Sequence, residues 1–324
     1  MIPRRFALYL LPLVGLLASP PAGAGDPAHE WLMKMSRAAR TLDYDGIFVY
    51  QHDTRLEAMR ILHRLEKGGP QERLVALNGA AREIIRNERE VLCYLPDENS
   101  VVVEHRKADG KSFPGLVPEQ LQNLDENYQI QLGKTGRIAG RTAQLVIIRP
   151  RDEYRYGYQL WADTKTGLLL KADLLDIQDK ILEQVMFVQV AIGVPIPAAA
   201  LKPGIAGEGY TWHRSDDAPP APGAQNWAAT RLPKGFKLTT HMVRISPVRK
   251  RPVEHLVYSD GLAAVSVFIE KLEKDAKAGI QGASRMGAVH AFGARANDHH
   301  VTAVGEVPAA TAALIGGSVT PSGE

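Results

Sequence analysis

Cysteine is almost missing from this chain of 324 residues: Cys93 stands alone, so no internal disulfide can form and folding must rest on buried apolar surface. The residues beside it, Leu92 and Tyr94, are not basic, so the thiol reads as a small core residue rather than a nucleophile. Familiar chemical signatures are missing too. There is no HExxH, no paired CxxC, no G-x-G-x-x-G after a strand, no P-loop and no G-x-S-x-G, so no enzyme class is indicated and no cofactor is expected. His299 and His300 follow Asp298, but adjacent residues of a strand point to opposite faces, which makes a polar hairpin end and not a metal site. His52-Asp53 reads as a turn, and His63 as a half-buried sheet histidine. An excess of one charge is absent as well. The formal charge is +3, falling to +1 without Arg4 and Arg5, which gives no basis for nucleic-acid binding.

Long apolar runs are limited to Phe6–Ala18, interrupted by Pro12 and Gly15 and shorter than the ~20 residues of a spanning helix. Arg4-Arg5 before it and Ala22-Gly23-Ala24 after it complete the pattern of a secretory signal peptide over 1–24, cleaved after Ala24. The mature chain is expected to be exported and soluble, with no cysteine at the cleavage site to carry a lipid.

What remains exceeds the usual size of one domain. From Gly193 to Asn226 the sequence is rich in Pro, Gly and Ala and has no period, which predicts a linker between a first domain over 25–192 and a smaller one over 227–324. In the first, Asp26 and Pro27 open a helix running to Leu42. Strands follow over Tyr44–Gln51, Val91–Leu95, Val101–His105 and Arg141–Arg149, with a short helix over Pro118–Asn127. Leu56–Leu65 and Glu72–Leu92 contain helix-favouring residues, but breaks at Gly68-Gly69-Pro70, Asn78-Gly79 and Asn87 argue for strands. In the second, a strand over Phe236–Ile245, a hairpin around Asp260-Gly261, another around Ala296-Asn297-Asp298 and a helix from Pro308 to Leu314 predict a small antiparallel sheet with helix, so the chain as a whole is α+β.

The clearest pattern lies in Arg155–Val190. Alternation over Tyr156, Tyr158 and Leu160 resumes after the turn Asp163–Gly167 in Leu168, Leu170, Ala172 and Leu174. Pairing Ala162 with Leu168 sets Leu160 against Leu170, Tyr158 against Ala172 and Tyr156 against Leu174. A second turn at Ile177–Asp179 sets Asp176 against Lys180 and Leu174 against Leu182, which brings Met186, Val188 and Val190 to the same apolar face. The basic run Arg249-Lys250-Arg251, between Pro247 and Pro252, reads first as a solvated loop and second as a receiver of an acidic peptide or lipid phosphates.

Several blocks, in order, resemble one family: Tyr44-Asp45-Gly46-Ile47-Phe48-Val49-Tyr50, Gly140-Arg141 through Arg149-Pro150-Arg151-Asp152, Arg155-Tyr156-Gly157-Tyr158 and Asp163-Thr164-Lys165-Thr166-Gly167-Leu168. The second domain adds Leu232-Pro233-Lys234-Gly235-Phe236, Ser246-Pro247-Val248, Tyr258-Ser259-Asp260-Gly261-Leu262, Ser266–Glu270 and Val304-Gly305-Glu306-Val307-Pro308. Together they resemble the RseB/MucB family of periplasmic sigma-E regulatory proteins. The resemblance implies an open antiparallel half-barrel like that of the lipoprotein carriers LolA and LolB, with helices on its concave face, followed by the smaller domain. It implies a negative regulator of the envelope stress response that binds the periplasmic part of a membrane anti-sigma factor (RseA or MucA) and shields it from proteolysis. Release would follow binding of lipopolysaccharide, another lipid or a mislocalised lipoprotein in the half-barrel. On that reading Tyr156, Tyr158, Leu160, Leu170, Leu174, Met186 and Val188 form the ligand face, and Arg249, Lys250 and Arg251 contribute to partner binding through the second domain. Self-association into a homo-oligomer stays open, as does a lipid or lipoprotein carrier using the same half-barrel.

Overall fold

The computed structural model describes residues 26–105, 113–118, 124–214, 217–218, 227–245, 251–272 and 279–321. The expected signal peptide, its cleavage site, and Arg249 and Lys250 lie outside them.

Helix α1 (Pro27–Thr41) starts where the Asp26 side chain accepts the Ala28 N–H at 2.9 Å, with proline supplying the pre-set φ of the first turn. Ala28, Leu32, Met35 and Ala39 recur at helical spacing and are buried. Six strands follow: β1 (Tyr44–His52), β2 (Arg55–Glu66), β3 (Gly69–Ala76), β4 (Glu83–Arg86), β5 (Glu90–Leu95) and β6 (Ser100–His105). The segments with helix-favouring composition are therefore strands, and the polar breaks make their turns. Asn78 accepts the Ala58 N–H at 2.6 Å, and Asn87 accepts those of Arg89 and Glu90 at 2.8 Å, side-chain bonds that a continuing helix would not offer. Of the helix expected over Pro118–Asn127, the described part is α2 (Leu124–Asn127). It leads into β7 (Tyr128–Ile138), β8 (Arg141–Pro150), β9 (Gly157–Asp163), β10 (Leu169–Leu175) and β11 (Ile181–Ile192).

With β12 (Thr211–Arg214), these form one sheet in the order β12-β6-β5-β4-β3-β2-β1-β11-β10-β9-β8-β7, antiparallel except where β12 joins β6. The concave face holds the core: α1 packs there with Tyr44, Phe48, Ile61, Tyr128, Val146, Leu160 and Phe187. Gly46 is required at its place in β1, since a Cβ would stand 2.6 Å from the Phe187 ring.

Two irregularities alter the expected register. Between β9 and β10, Ala162 opposes Leu169, and after a bulge Leu160 opposes Ala172 and Tyr158 opposes Leu174. That displacement is two residues, so the faces are kept. Between β10 and β11 the turn forms as expected, the Asp176 N–H donating to Lys180 O at 3.0 Å. Leu175 then opposes Ile181, but Leu174 opposes Glu183, so Leu182 is an extra residue and every later side chain changes face. Val185 and Phe187 point into the core, and Met186 points away from it. A second bulge opposite Ile47/Phe48 leaves Val188 as the extra residue, 49% exposed, and returns Val190 to the concave side. The expected placement of Met186 and Val188 on the apolar face is thus corrected, because turn geometry alone cannot reveal a one-residue bulge.

The stretch expected as linker has a structural task. Residues 193–214 cross the convex face of the same sheet. Arg64 donates to Ile196 O at 2.7 Å and Arg73 to Ala200 O at 3.0 Å, while Ile196 and Leu201 cover Leu62. The Glu83 carboxylate, 1% exposed, accepts the N–H groups of Gly204 and Ile205 at 2.9 and 3.0 Å and pairs with Arg73. Ile205 and Tyr210 then pack on Tyr94, Val101 and Val103, and β12 extends the edge. Pro, Gly and Ala read as linker because an extended strap bonded through its backbone needs no hydrophobic period.

The second domain contains β13 (Asp217–Ala218), β14 (Trp227–Ala229), β15 (Lys237–Ile245), β16 (Pro252–Ser259), β17 (Ala264–Lys271), β18 (Gly282–Met286), β19 (Val289–Ala296), β20 (His299–Gly305), helix α3 (Ala309–Gly316) and β21 (Val319–Pro321). Its sheet runs β13-β15-β16-β17-β20-β19-β18, with β14 paired to β21. Leu256, Val265, Val267, Val301 and Ala303 from the strands and Ile315 from α3 form a separate core. The architecture is α+β, a large open antiparallel sheet followed by a smaller sheet domain.

Candidate functional site

The concave face of the large sheet is not filled. Phe48, Met59, Leu74, Ile84, Tyr158, Leu160, Ala172, Leu174 and Val185 line a cleft of about 520 Å³, together with Phe113, Leu116 and Val117 and with Leu262 of the second domain. Its size is that of a small-molecule site. The floor is aromatic and aliphatic: Phe113 lies 5.2 Å from Phe48 and 4.8 Å from Phe187, ring centre to ring centre.

The rim is charged with both signs. Glu57 accepts from Arg82 at 3.0 Å and Glu72 from Arg86 at 3.1 Å. The Tyr50 hydroxyl donates to Glu183, which also accepts the Ala288 N–H of the second domain at 3.3 Å. Burial, then the bond to Glu183 and its charge, raise the Tyr50 pKa far above the phenolic range, and burial does the same for Tyr158, so both rings stay neutral. Burial also pushes the Cys93 thiol up, which leaves it protonated and unreactive. Among the described residues no group of three or more His, Cys, Asp or Glu is placed to hold a metal ion. The arrangement can take an apolar chain on its floor and a polar head at its rim.

The second domain is tied to the first by Arg155, which is fully buried. Its Nε donates to Asp260 at 2.6 Å, its other nitrogens to Asp152 and to Lys234 O, and the rings of Phe236 and Tyr128 lie 5.2 and 5.7 Å from its guanidinium carbon. The Tyr128 hydroxyl donates to the same Asp260 carboxylate at 2.9 Å. Thr311 of α3 donates to Tyr154 O at 2.7 Å, and Gly235 leaves room for Asn127, whose amide nitrogen a Cβ would meet at 2.1 Å.

Comparison with known proteins finds two family domains, in this same order. Residues 27–205 match the MucB/RseB N-terminal domain and residues 221–320 the MucB/RseB C-terminal domain. The chain belongs to the MucB/RseB family. It is 34% identical to the sigma factor AlgU regulatory protein MucB of Pseudomonas aeruginosa over 96% of each chain. The sigma-E factor regulatory protein RseB of Escherichia coli K12 is 28% identical, with 93% of this chain and 92% of that one covered. The crystal structure of MucB in complex with MucA(peri) superposes with a TM-score of 0.70 at 31% identity, covering 92% of this chain and all of that one. A second structure, of the Pseudomonas aeruginosa MucA/MucB complex, gives 0.71 at 32% identity.

In this MucB/RseB chain the residues expected to form the ligand face separate into four groups. Tyr158, Leu160 and Leu174 line the cleft. Leu170 is the bulged residue of β10 and is fully buried in the core. Tyr156 lies at the domain interface, packed with Leu174 and Ala288, its hydroxyl 3.2 Å from His290 Nδ1. Met186 and Val188 face away. Of the basic run, Arg251 is exposed, and Arg249 and Lys250 lie outside the described residues. Sequence reasoning missed Phe48, Met59, Leu74, Ile84 and Phe113. The alternation in Tyr44–Tyr50 carried a signal for Phe48; the strands holding Met59, Leu74 and Ile84 have mixed periodicity, and Phe113 comes from irregular chain.

Proposed function

We propose that this chain is a periplasmic regulatory protein that binds the periplasmic segment of a membrane anti-sigma factor of the MucA/RseA type, shields it from proteolysis, and lets it go when a lipid enters the cleft of the first domain. The observation that carries the reading is the match of both domains, over 92% of the chain, to a MucB bound to the periplasmic part of MucA. Export to the periplasm rests on the leader pattern of residues 1–24, and no helix among the described residues is long and apolar enough to cross a membrane. The lipid arm rests on the apolar cleft with its two-signed rim. Arg251, with Arg249 and Lys250 beside it in sequence, adds positive charge to the second domain, which speeds encounter with an acidic segment in a salt-dependent way. A carrier of lipids or lipoproteins would use the same cleft but would need neither a second domain nor an anti-sigma partner, and the match to both MucB/RseB domains favours a regulator.

The test is a calorimetric titration of the mature chain with the periplasmic domain of the anti-sigma factor from the same genome, followed by digestion of the complex with the protease that cleaves that anti-sigma factor. Binding, protection, and loss of both on adding lipopolysaccharide or an acylated lipopeptide are expected. Absence of binding removes the regulator; binding indifferent to every lipid removes only the sensing arm.

A further inference from the structure

Part of the cleft wall is supplied by the other domain. Leu262, on the turn joining β16 to β17, belongs to the second domain in sequence, yet it is 8% exposed and packs in the apolar core of the first, lining the cleft. The turn is rigid. Asp260 Oδ1 accepts the N–H groups of Leu262 and Ala263 at 2.9 and 2.7 Å, and Gly261 adopts φ 101°, a region open chiefly to glycine. Its other carboxylate oxygen is the one held by Arg155 and Tyr128 of the first domain. One short turn therefore carries both an apolar side chain seated in the cleft and the carboxylate that fastens the two domains.

From this juxtaposition we propose that the Asp260–Leu262 turn is an intramolecular plug, competing with an apolar ligand for the cleft, so that full entry of a ligand requires Leu262 to leave and the Arg155–Asp260 latch to open. The inference rests on the reading of the cleft as a site for an apolar chain. A ligand that binds only the unplugged form has its affinity reduced by the small fraction of molecules in that form, and it shifts the domains only as far as that preference allows. Seating a leucine has the same order of free energy as seating a few methylenes of an acyl chain, so the competition is balanced rather than one-sided.

The experiment titrates the full mature chain with cis-parinaric acid, a fluorescent fatty acid, in the wild type and in Leu262→Ala and Asp260→Asn. Spin labels at Lys165 and Lys271, in a Cys93→Ser background, report the distance between domains. Each variant should bind the probe about tenfold more tightly than wild type, and the probe should lengthen the label distance in wild type. Asp260 does not line the cleft, so tightening in Asp260→Asn cannot come from a larger cavity; circular dichroism checks that each variant is folded, and Leu262→Ala, the milder change, decides if the other is not. Equal binding in all three chains with an unchanged distance overturns the plug and leaves the cleft as a ligand site. Absence of probe binding even in the unplugged variants overturns both.

Discussion

On its convex side the large sheet is closed by residues 193–214, continuous with β11 and fixed through the buried Glu83 carboxylate; on its concave side it is closed by α1, by 113–118 and by Leu262 from the other domain. Both faces are apolar, and both need cover. The convex cover is a single covalent strap whose polar backbone is satisfied at each crossing, so opening it would expose an unpaired carboxylate, an arginine and several N–H groups together. The concave cover is assembled from separate pieces, one of which belongs to another domain, and it leaves about 520 Å³ unfilled. The contrast shows how one sheet can be a permanent core on one side and an accessible site on the other: the difference lies in what closes each face and how that closure is anchored.

The comparison can be broken most severely in the shared core. Leu170→Asp puts a carboxylate where exposure is zero, at a cost comparable to the whole stability of a domain, and the first domain should fail to fold, seen as loss of its cooperative unfolding transition. Next comes the strap. Glu83→Ala leaves Arg73 and the N–H groups of Gly204 and Ile205 without their acceptor, which should cost about 3 kcal/mol in urea unfolding and make the strap the first site of proteolysis. If 193–214 were a free linker, neither change would occur.

The seam between the domains gives a smaller, pH-dependent effect. Burial pushes the Tyr156 phenol up to about 12. A raised pKa means that the folded state favours the protonated form, so its contribution is complete below pH ~10 and is lost as pH rises through 12. Tyr156→Phe should cost about 1 kcal/mol at pH 8 through its lost hydrogen bond and should flatten the fall in stability above pH 10 relative to wild type. The smallest effects are expected outside the concave face. Met186→Asp should cost about 1 kcal/mol and Val188→Asp less than about 0.5 kcal/mol, in sharp contrast to Leu170→Asp three strand positions from the turn. A collapse of stability in Met186→Asp would restore the unbulged register.

Local chemistry was legible in the sequence wherever it depends on near neighbours. Asp26-Pro27 dictated the start of α1, Asn78-Gly79 and Asn87 dictated turns, Asp260-Gly261 dictated a hairpin, and the alternation in Tyr156–Leu174 dictated which side chains of β9 and β10 share a face. Three features came only from tertiary structure, for a common reason. The extra residue at Leu182 has no signal in the turn that precedes it, and it moved Met186 to the other face. The strap over 193–214 has no pattern of its own because Glu83, Arg64 and Arg73, more than a hundred residues earlier, bond its backbone. The cleft itself is a property of what the folded chain leaves unfilled: its apolar lining looks like core in the sequence, and it takes the placement of separate strands, of 113–118 and of Leu262 from a second domain to decide where core ends and site begins.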